Sequence, residues 1–149
     1  MQHFPIFLAM ADARVLLSGG EAAALAKLRL LLKTPARIEV YADPAAEEIR
    51  DWAAEGRLTL IPRPLTAEDI PGATLVYAAD EDDALDAHVA GLARAAGVLF
   101  NVVDNLSASA FITPAMVDRS PVTVAIGTEG TAPVLARQIK AALEEQLPA

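Results

Sequence analysis

The chain has 149 residues, a net charge of −8 at pH 7 and no cysteine, which suits a domain that buries its own core and excludes disulfides, a thiol nucleophile and a cysteine-bound metal. The acidic balance argues against a nucleic-acid partner, because nucleic-acid binding relies on Lys and Arg. No apolar run approaches the ~20 residues of a membrane span and no signal-peptide pattern is present, so the sequence predicts a cytoplasmic protein with no membrane partner.

Short apolar runs alternate with helical patterns through the first two thirds of the chain. The segment 4–8 contains Pro5, which is unfavourable inside a sheet, and is expected to pack against an edge or the underside of the fold. The predicted strands are 14–17, 37–41, 57–61, 74–79 and 98–103, and the predicted helices are 21–33, 43–55 and 82–96. This alternation predicts an α/β fold, a Rossmann-like parallel sheet with helices on both faces.

The pattern changes after Ala108. A turn is predicted at 117–121, a strand at 122–126 and a final helix from about Pro133. The Rossmann-like domain is therefore assigned to residues 1–112, and a strand-and-helix appendage to residues 113–149.

A glycine turn follows the first predicted strand. Dinucleotide-binding folds place small residues here, so that the backbone can approach a pyrophosphate at the N-terminus of the next helix. The sequence equally allows a turn that links the strand to the helix and binds no dinucleotide. The predicted cofactor-binding residues at the ends of the first and fourth strands are Ser18, Gly19, Gly20, Glu21, Ala78 and Ala79.

Asp43 ends the second predicted strand, about twenty residues after the glycine turn. An acid at this position can bind both ribose hydroxyls of NAD. Equally, Asp43 is a good N-cap for a helix with Pro44 at its first position. No arginine neighbours this strand end, which favours NAD over NADP.

Asp104 ends the fifth predicted strand, at the edge of a parallel sheet where ligands bind. A carboxylate there is a candidate general base. On spacing alone, a turn-capping aspartate beside Asn105 is the favoured interpretation. His88 and the acidic residues between Asp80 and Asp86 are predicted to be solvated, and no metal site is predicted.

Three blocks of the sequence resemble the dehydrogenase/ferrochelatase module of siroheme synthase. They are N-V-V-D at 101–104, F-I-x-P-A-x-V-D-R-S-P at 111–121 and G-T-x-G-x-A-P-V-L-A-R at 127–137. The resemblance implies NAD-dependent oxidation of precorrin-2 to sirohydrochlorin, insertion of ferrous iron, and a homodimer formed through residues 113–149. It also implies that Asp104 acts in both reactions, which reverses the preference for a turn cap.

The resemblance assigns further residues and shows where this chain departs from the family. Arg119 could clamp a tetrapyrrole carboxylate or pair with Asp118, and the Thr128 hydroxyl could bind the substrate or the N–H groups of the next helix. Glu129 stands where the family often has glycine.

The family's three consecutive glycines are not complete in this chain. An ungapped match through Lys27 puts Glu21 on the third glycine, which faces the pyrophosphate, whereas a one-residue shift puts Ser18 on the first and keeps Gly20 in the critical place. Two alternatives follow: an enzyme that has lost NAD and only inserts metal, or a non-catalytic dimer that binds tetrapyrrole. Relatives commonly continue with a small helical domain, and without it a more open cleft and partial activity are expected.

Overall fold

A computed structural model describes residues 1–148. They form two compact units. We call Phe7–Phe111 the sheet unit, and residues 1–6 with 112–148 the hairpin unit. The functional division at residue 112 stays a prediction, and Ala149, the last residue of the predicted appendage, lies outside the described residues.

The sheet unit contains a five-stranded parallel sheet in the order β3-β2-β1-β4-β5. Its strands are β1 (Arg14–Ser18), β2 (Arg37–Tyr41), β3 (Thr59–Ile61), β4 (Leu75–Ala78) and β5 (Leu99–Val102). Its helices are α1 (Ala22–Leu31), α2 (Glu47–Ala54) and α3 (Asp83–Ala95), with a short 3-10 helix at Ala67–Asp69. The Rossmann-like α/β fold predicted from the sequence is confirmed.

Side chains that alternate along each strand build two cores, one on each face of the sheet. On one face, Val15 and Leu17 of β1 pack with α1 and α2. On the other face, Leu16 of β1 and Val76 of β4 pack with α3. Because both faces are covered by helices, β1 and β4 are apolar almost throughout, which explains why their sequences show continuous rather than alternating hydrophobicity.

The second helix begins later than predicted. Its N-cap is Ala46, and α2 starts at Glu47, so the prediction that Asp43 caps this helix is wrong. Residues 43–46 pass over the glycine turn, where the Ala46 N–H donates to the Gly20 carbonyl at 2.8 Å. This tertiary hydrogen bond removes the residues after Asp43 from the helix, although Pro44 is a local signal for a helix start.

The hairpin unit consists of an antiparallel pair, β6 (Ala115–Arg119) and β7 (Val122–Ile126), and the helix α4 (Pro133–Gln146). The strand at 122–126 and the helix start at Pro133 are confirmed. The predicted turn at 117–121 is wrong for its first three residues, which belong to β6 and pair with β7. The apolar run in β6 is too short to indicate a strand without its partner.

The prediction that the N-terminal segment packs against the fold is wrong for its large side chains. Phe4 and Phe7 are 78% and 74% exposed, and Ile6 is also exposed. Within the described residues, no helix combines the length and apolarity that crossing a membrane requires.

Candidate functional site

The glycine turn is shaped by close backbone packing. Gly19 has φ +124, and a Cβ atom on it would lie 2.0 Å from the carbonyl oxygen of Ala79. A Cβ on Gly20 would lie 2.6 Å from the Pro44 carbonyl oxygen. Both glycines are therefore needed for the turn to approach the end of β4 and the segment that follows β2.

The other small residues of the predicted cofactor set lie at different depths. The Ser18 hydroxyl is buried and donates to the Asp80 carboxylate at 2.7 Å. Ala78 lies inside the core beneath α3. Ala79, in contrast, lines the larger of two clefts at this edge of the sheet, and Ala78 lines neither of them. Glu21 is the exposed N-cap residue of α1, and its side chain makes no capping hydrogen bond.

Two clefts lie at the carboxyl edge of the sheet. The first cleft, of about 480 Å³, lies between α1, the start of α3 and the residues after β5. The second cleft, of about 160 Å³, lies between the ends of β1, β2 and β4 and the exposed side of α3. The first is lined by Ala23, Ala79, Glu81, Asp83, Asp86, Ala87, Val102, Val103, Asp104, Asn105 and Ala108. These positions match the edge at which parallel α/β sheets bind ligands.

Asp104 lies in the first cleft, in a tight turn two residues beyond the end of β5. The Asn105 N–H closes the turn by donating to the Val102 carbonyl at 3.0 Å, and Asp104 has φ +61, a backbone conformation uncommon outside glycine. Among residues 1–148 the Asp104 carboxylate accepts no hydrogen bond. The capping bonds come from Asn105, whose side-chain oxygen accepts from Ala108 N and the Ser107 hydroxyl. Asp104 is therefore exposed in the cleft rather than used as a turn cap.

Lys27 is a candidate site residue that belongs to no chemical motif in the sequence. It lies one helical turn after Ala23, on the side of α1 that borders the first cleft. Burial lowers the pKa of Lys27, and the negative charge of Asp104 raises it in part. The approach of α1 to the turn after β5 is a tertiary contact, so no local pattern in the sequence could have indicated this pair.

Asn101 of β5 is a second residue that sequence reasoning did not single out. It is 6% exposed, and its side-chain amide donates to the Phe111 carbonyl at 2.9 Å. Its side-chain oxygen is buried and has no hydrogen-bond partner among the described residues. An unpaired buried acceptor is uncommon in folded proteins.

The acidic residues before and within α3 have structural roles. Asp82 is the N-cap of α3 and accepts from the N–H groups of Ala84 and Leu85 at 3.0 and 2.9 Å. Asp86 is only 7% exposed and accepts from the Asp80 N–H at 2.9 Å, so the prediction that this cluster is solvated is wrong for Asp86. Among residues 1–148, no group of three or more His, Cys, Asp and Glu side chains could hold a metal ion.

Replacing Asp86 with Asn should stabilise the fold at neutral pH. Burial raises the pKa of Asp86, and the charges of Asp80 and its neighbours raise it further. The native state therefore holds this proton more tightly than the unfolded chain, and wild-type stability falls as pH rises from about 4 through the folded pKa. Because the Asn oxygen can still accept the Asp80 N–H, we expect a gain of about 1 kcal/mol at pH 7, or about 3 °C in Tm.

Thermal unfolding at pH 7 and at about pH 3 tests this expectation, since the difference between the two proteins should vanish where the wild-type carboxyl is protonated. Lower stability of Asp86→Asn at pH 7 would contradict it.

The second cleft contains the predicted ribose ligand. Asp43 lines it and is exposed, as is His88, which agrees with the solvated histidine predicted. Among the described residues, no Lys or Arg lines this cleft. Arg63 stacks over the Tyr41 ring nearby, but its guanidinium is held by the Asp69 carboxylate through bonds of 2.8 and 2.7 Å.

Arg119 and Thr128 lie in the hairpin unit. The Arg119 guanidinium donates to the backbone carbonyls of Asp118 at 3.1 Å and Glu144 at 3.5 Å, so the predicted pairing with the Asp118 carboxylate is not formed. The Thr128 carbonyl accepts hydrogen bonds from the Thr131 N–H and the Thr131 hydroxyl. The Thr128 hydroxyl has no hydrogen-bond partner among the described residues. Substrate binding by Arg119 and Thr128 stays a prediction.

Glu129 holds the N-terminal residues within the hairpin unit. Its carboxylate accepts from the N–H groups of Gln2 and His3 at 2.9 and 3.1 Å and contacts the His3 ring. The bond from the His3 side chain, with the backbone bonds, lowers the pKa of Glu129 to about 2. Glu129 has φ +51, which explains why glycine would also suit this position.

Comparison with known proteins gives concordant relationships. A family described as "Putative NAD(P)-binding" matches residues 6–115. Siroheme synthases from Chromobacterium violaceum, Gluconacetobacter diazotrophicus and Salmonella arizonae are 44%, 43% and 41% identical over 149, 150 and 148 residues. These alignments cover at least 98% of this chain but only 32% of each relative, so the chain spans about a third of their length. A solved structure of SirC, a precorrin-2 dehydrogenase, has a TM-score of 0.81 and 25% identity, covering 98% of this chain and 72% of that one.

Proposed function

We propose, from the premise that the chain belongs to this NAD(P)-binding family and is related to siroheme synthase, that it oxidises precorrin-2 to sirohydrochlorin with NAD. The observation that carries the proposal is the exposed carboxylate of Asp104, which accepts no hydrogen bond within residues 1–148 and faces the cleft beside the N-terminus of α1. A carboxylate without a structural role, in an unusual backbone conformation, is a candidate for catalysis.

The residues at the carboxyl edge fit a dinucleotide. Gly19 and Gly20 let the turn pack closely on the backbone of Ala79 and Pro44, and the α1 N-terminus that follows favours an anion. Asp43 is exposed in the second cleft, which supports assigning its carboxylate to the ribose hydroxyls. Within residues 1–148, the side chains that line the second cleft include carboxylates but no Lys or Arg, which disfavours the extra phosphate of NADP. When bound, NAD accepts the hydride removed from the substrate.

Asp104 is assigned the proton transfer. Oxidation of precorrin-2 removes a hydride and a proton. The hydride goes to NAD, and the Asp104 carboxylate accepts the proton that leaves a ring carbon. The opposite charges of Lys27, on α1, and Asp104 attract each other, which opposes the lowering of the Lys27 pKa by burial. The same carboxylate is proposed to accept pyrrole protons when ferrous iron, as a substrate, enters sirohydrochlorin.

The proposal extends to a homodimer in the cytoplasm. The hairpin unit has a two-stranded sheet, and several of its large apolar side chains are exposed. They include Val122, Val134, Leu135 and Ile139. An apolar surface on so small a unit supports association with a second copy. Sedimentation measurements would detect the dimer.

Titration with NAD, followed by a precorrin-2 oxidation assay that records NADH formation, tests the proposed dehydrogenase. We expect micromolar binding of NAD and binding of NADP weaker by about tenfold, the effect of placing its phosphate near Asp43 and Asp80. No binding at millimolar NAD would contradict the dehydrogenase.

A chelatase that does not use NAD is the second candidate, favoured by the carboxylates of Glu21 and Glu81 close to the α1 N-terminus. Adding ferrous or cobaltous ions to sirohydrochlorin and recording metal insertion tests it. A protein inactive in both assays but able to bind sirohydrochlorin would be a non-catalytic tetrapyrrole-binding module.

A further inference from the structure

The Glu81 carboxylate lies at the N-terminus of α1. The Ala23 N–H donates to Glu81 Oε2 at 3.4 Å. The first N–H groups of a helix have no partner within the helix, and the helix dipole adds positive potential there. Glu81 thus occupies part of the space that favours an anionic ligand.

Glu81 comes from a different element, the connection between β4 and α3. The first turn of α1 contains no acidic residue, and the N-cap residue Glu21 makes no side-chain capping bond. The anion at this helix terminus is therefore supplied across the cleft rather than by α1 itself. Glu81 also lines the first cleft together with Asp104.

Both neighbours of Glu81 are fixed by hydrogen bonds. Asp80 accepts from the Ser18 hydroxyl at 2.7 Å and donates its N–H to Asp86 at 2.9 Å. Asp82 is held as the N-cap of α3. Glu81 itself has φ +57, a conformation that costs free energy for a residue other than glycine. From this backbone conformation the Glu81 side chain reaches Ala23 N, and because the side chain is exposed it can rotate away.

We propose that Glu81 is an internal competitor for the pyrophosphate of the dinucleotide, and that it sets the affinity for NAD. The inference rests on the proposed function, because it assumes that α1 receives the pyrophosphate. Binding requires the Glu81 side chain to leave Ala23 N, and the remaining charge of Glu81 repels the phosphates. The residue therefore weakens binding in two ways, and both depend on its carboxylate.

Glu81→Gln tests the competitor, because glutamine keeps the size and an acceptor oxygen but removes the charge. We expect NAD to bind about tenfold more tightly, the effect of one unit charge a few ångströms from a phosphate at a partly hydrated site. Asp83→Asn is the matched control. Asp83 lines the same cleft and loses the same charge, but it makes no hydrogen bond to α1, and we expect a change of about twofold or less.

Calorimetric titrations with NAD and with inorganic pyrophosphate, on proteins of matched thermal stability, separate the outcomes. If wild type binds NAD and Glu81→Gln binds it no more tightly, the inference is wrong and the proposed cofactor stands. Equal tightening by Asp83→Asn would also overturn the inference, since general charge would then explain the effect. If neither protein binds NAD but Glu81→Gln binds pyrophosphate more tightly, Glu81 does compete for the anion position at α1, whereas its control of NAD affinity and the dehydrogenase are both overturned. No tightening with either probe overturns the inference.

Discussion

Asp104→Asn should lower precorrin-2 oxidation by about a thousandfold, within the range that a positioned general base contributes. Asparagine has the same shape and tolerates the left-handed backbone of this turn, but it cannot accept the substrate proton. Because the Asp104 carboxylate accepts no hydrogen bond among the described residues, its replacement removes only its electrostatic attraction to Lys27. We therefore expect Tm within about 2 °C of wild type and unchanged binding of NAD.

The chain offers a matched control for this substitution. Asp12 is also an exposed aspartate with a left-handed backbone, at φ +63 against +61 for Asp104, but it precedes β1 and lies away from the carboxyl edge of the sheet. Asp12→Asn should leave turnover unchanged. If Asp104→Asn keeps more than about a tenth of the wild-type rate at saturating NAD, less than general bases contribute, Asp104 is not the base. Metal insertion measured on the same protein shows whether both reactions use this carboxylate.

Local patterns predicted most of the sheet unit. The limits of β2 are those predicted, and Asp82 caps α3 because an aspartate before a helix binds its first N–H groups wherever it occurs. The predicted start of α2 was wrong because Ala46 donates a hydrogen bond to the Gly20 carbonyl, and this tertiary contact overrides the preference of Pro44 for the first turn of a helix. Strand β6 was not predicted because it is recognised by its pairing with β7, which local sequence patterns do not show.

The candidate site was predictable only in part. The sequence indicated Asp104 but could not exclude a capping role, since Asn105 stands beside it and either side chain can cap a turn. The structure assigns the capping to Asn105. The electrostatic influence of Asp104 on Lys27 and the hydrogen bond from Ala23 to Glu81 both join separate elements, so sequence spacing contains no information about them.

Gly19→Ala should destabilise the sheet unit by about 4 kcal/mol, from overpacking against backbone and from a side chain at positive φ. The added Cβ would lie 2.0 Å from the oxygen and 2.4 Å from the carbonyl carbon of Ala79, and neither atom can move without shifting the end of β4. Urea unfolding measures the loss, and a fall in Tm of about 10 °C should accompany it.

Gly56→Ala is a control that measures the cost of a side chain at positive φ without steric overlap. Gly56 has φ +73, but no atom lies within 4 Å of an added Cβ. We expect it to cost about 1 kcal/mol. If Gly19→Ala costs no more than Gly56→Ala, the turn can relax and the close approach to Ala79 does not constrain it. A larger cost for Gly19→Ala would show that the fold needs this glycine before any ligand binds. The glycine turn alone would then be weak support for a dinucleotide, and the response of NAD affinity to Glu81 would be the more direct test of what binds at α1.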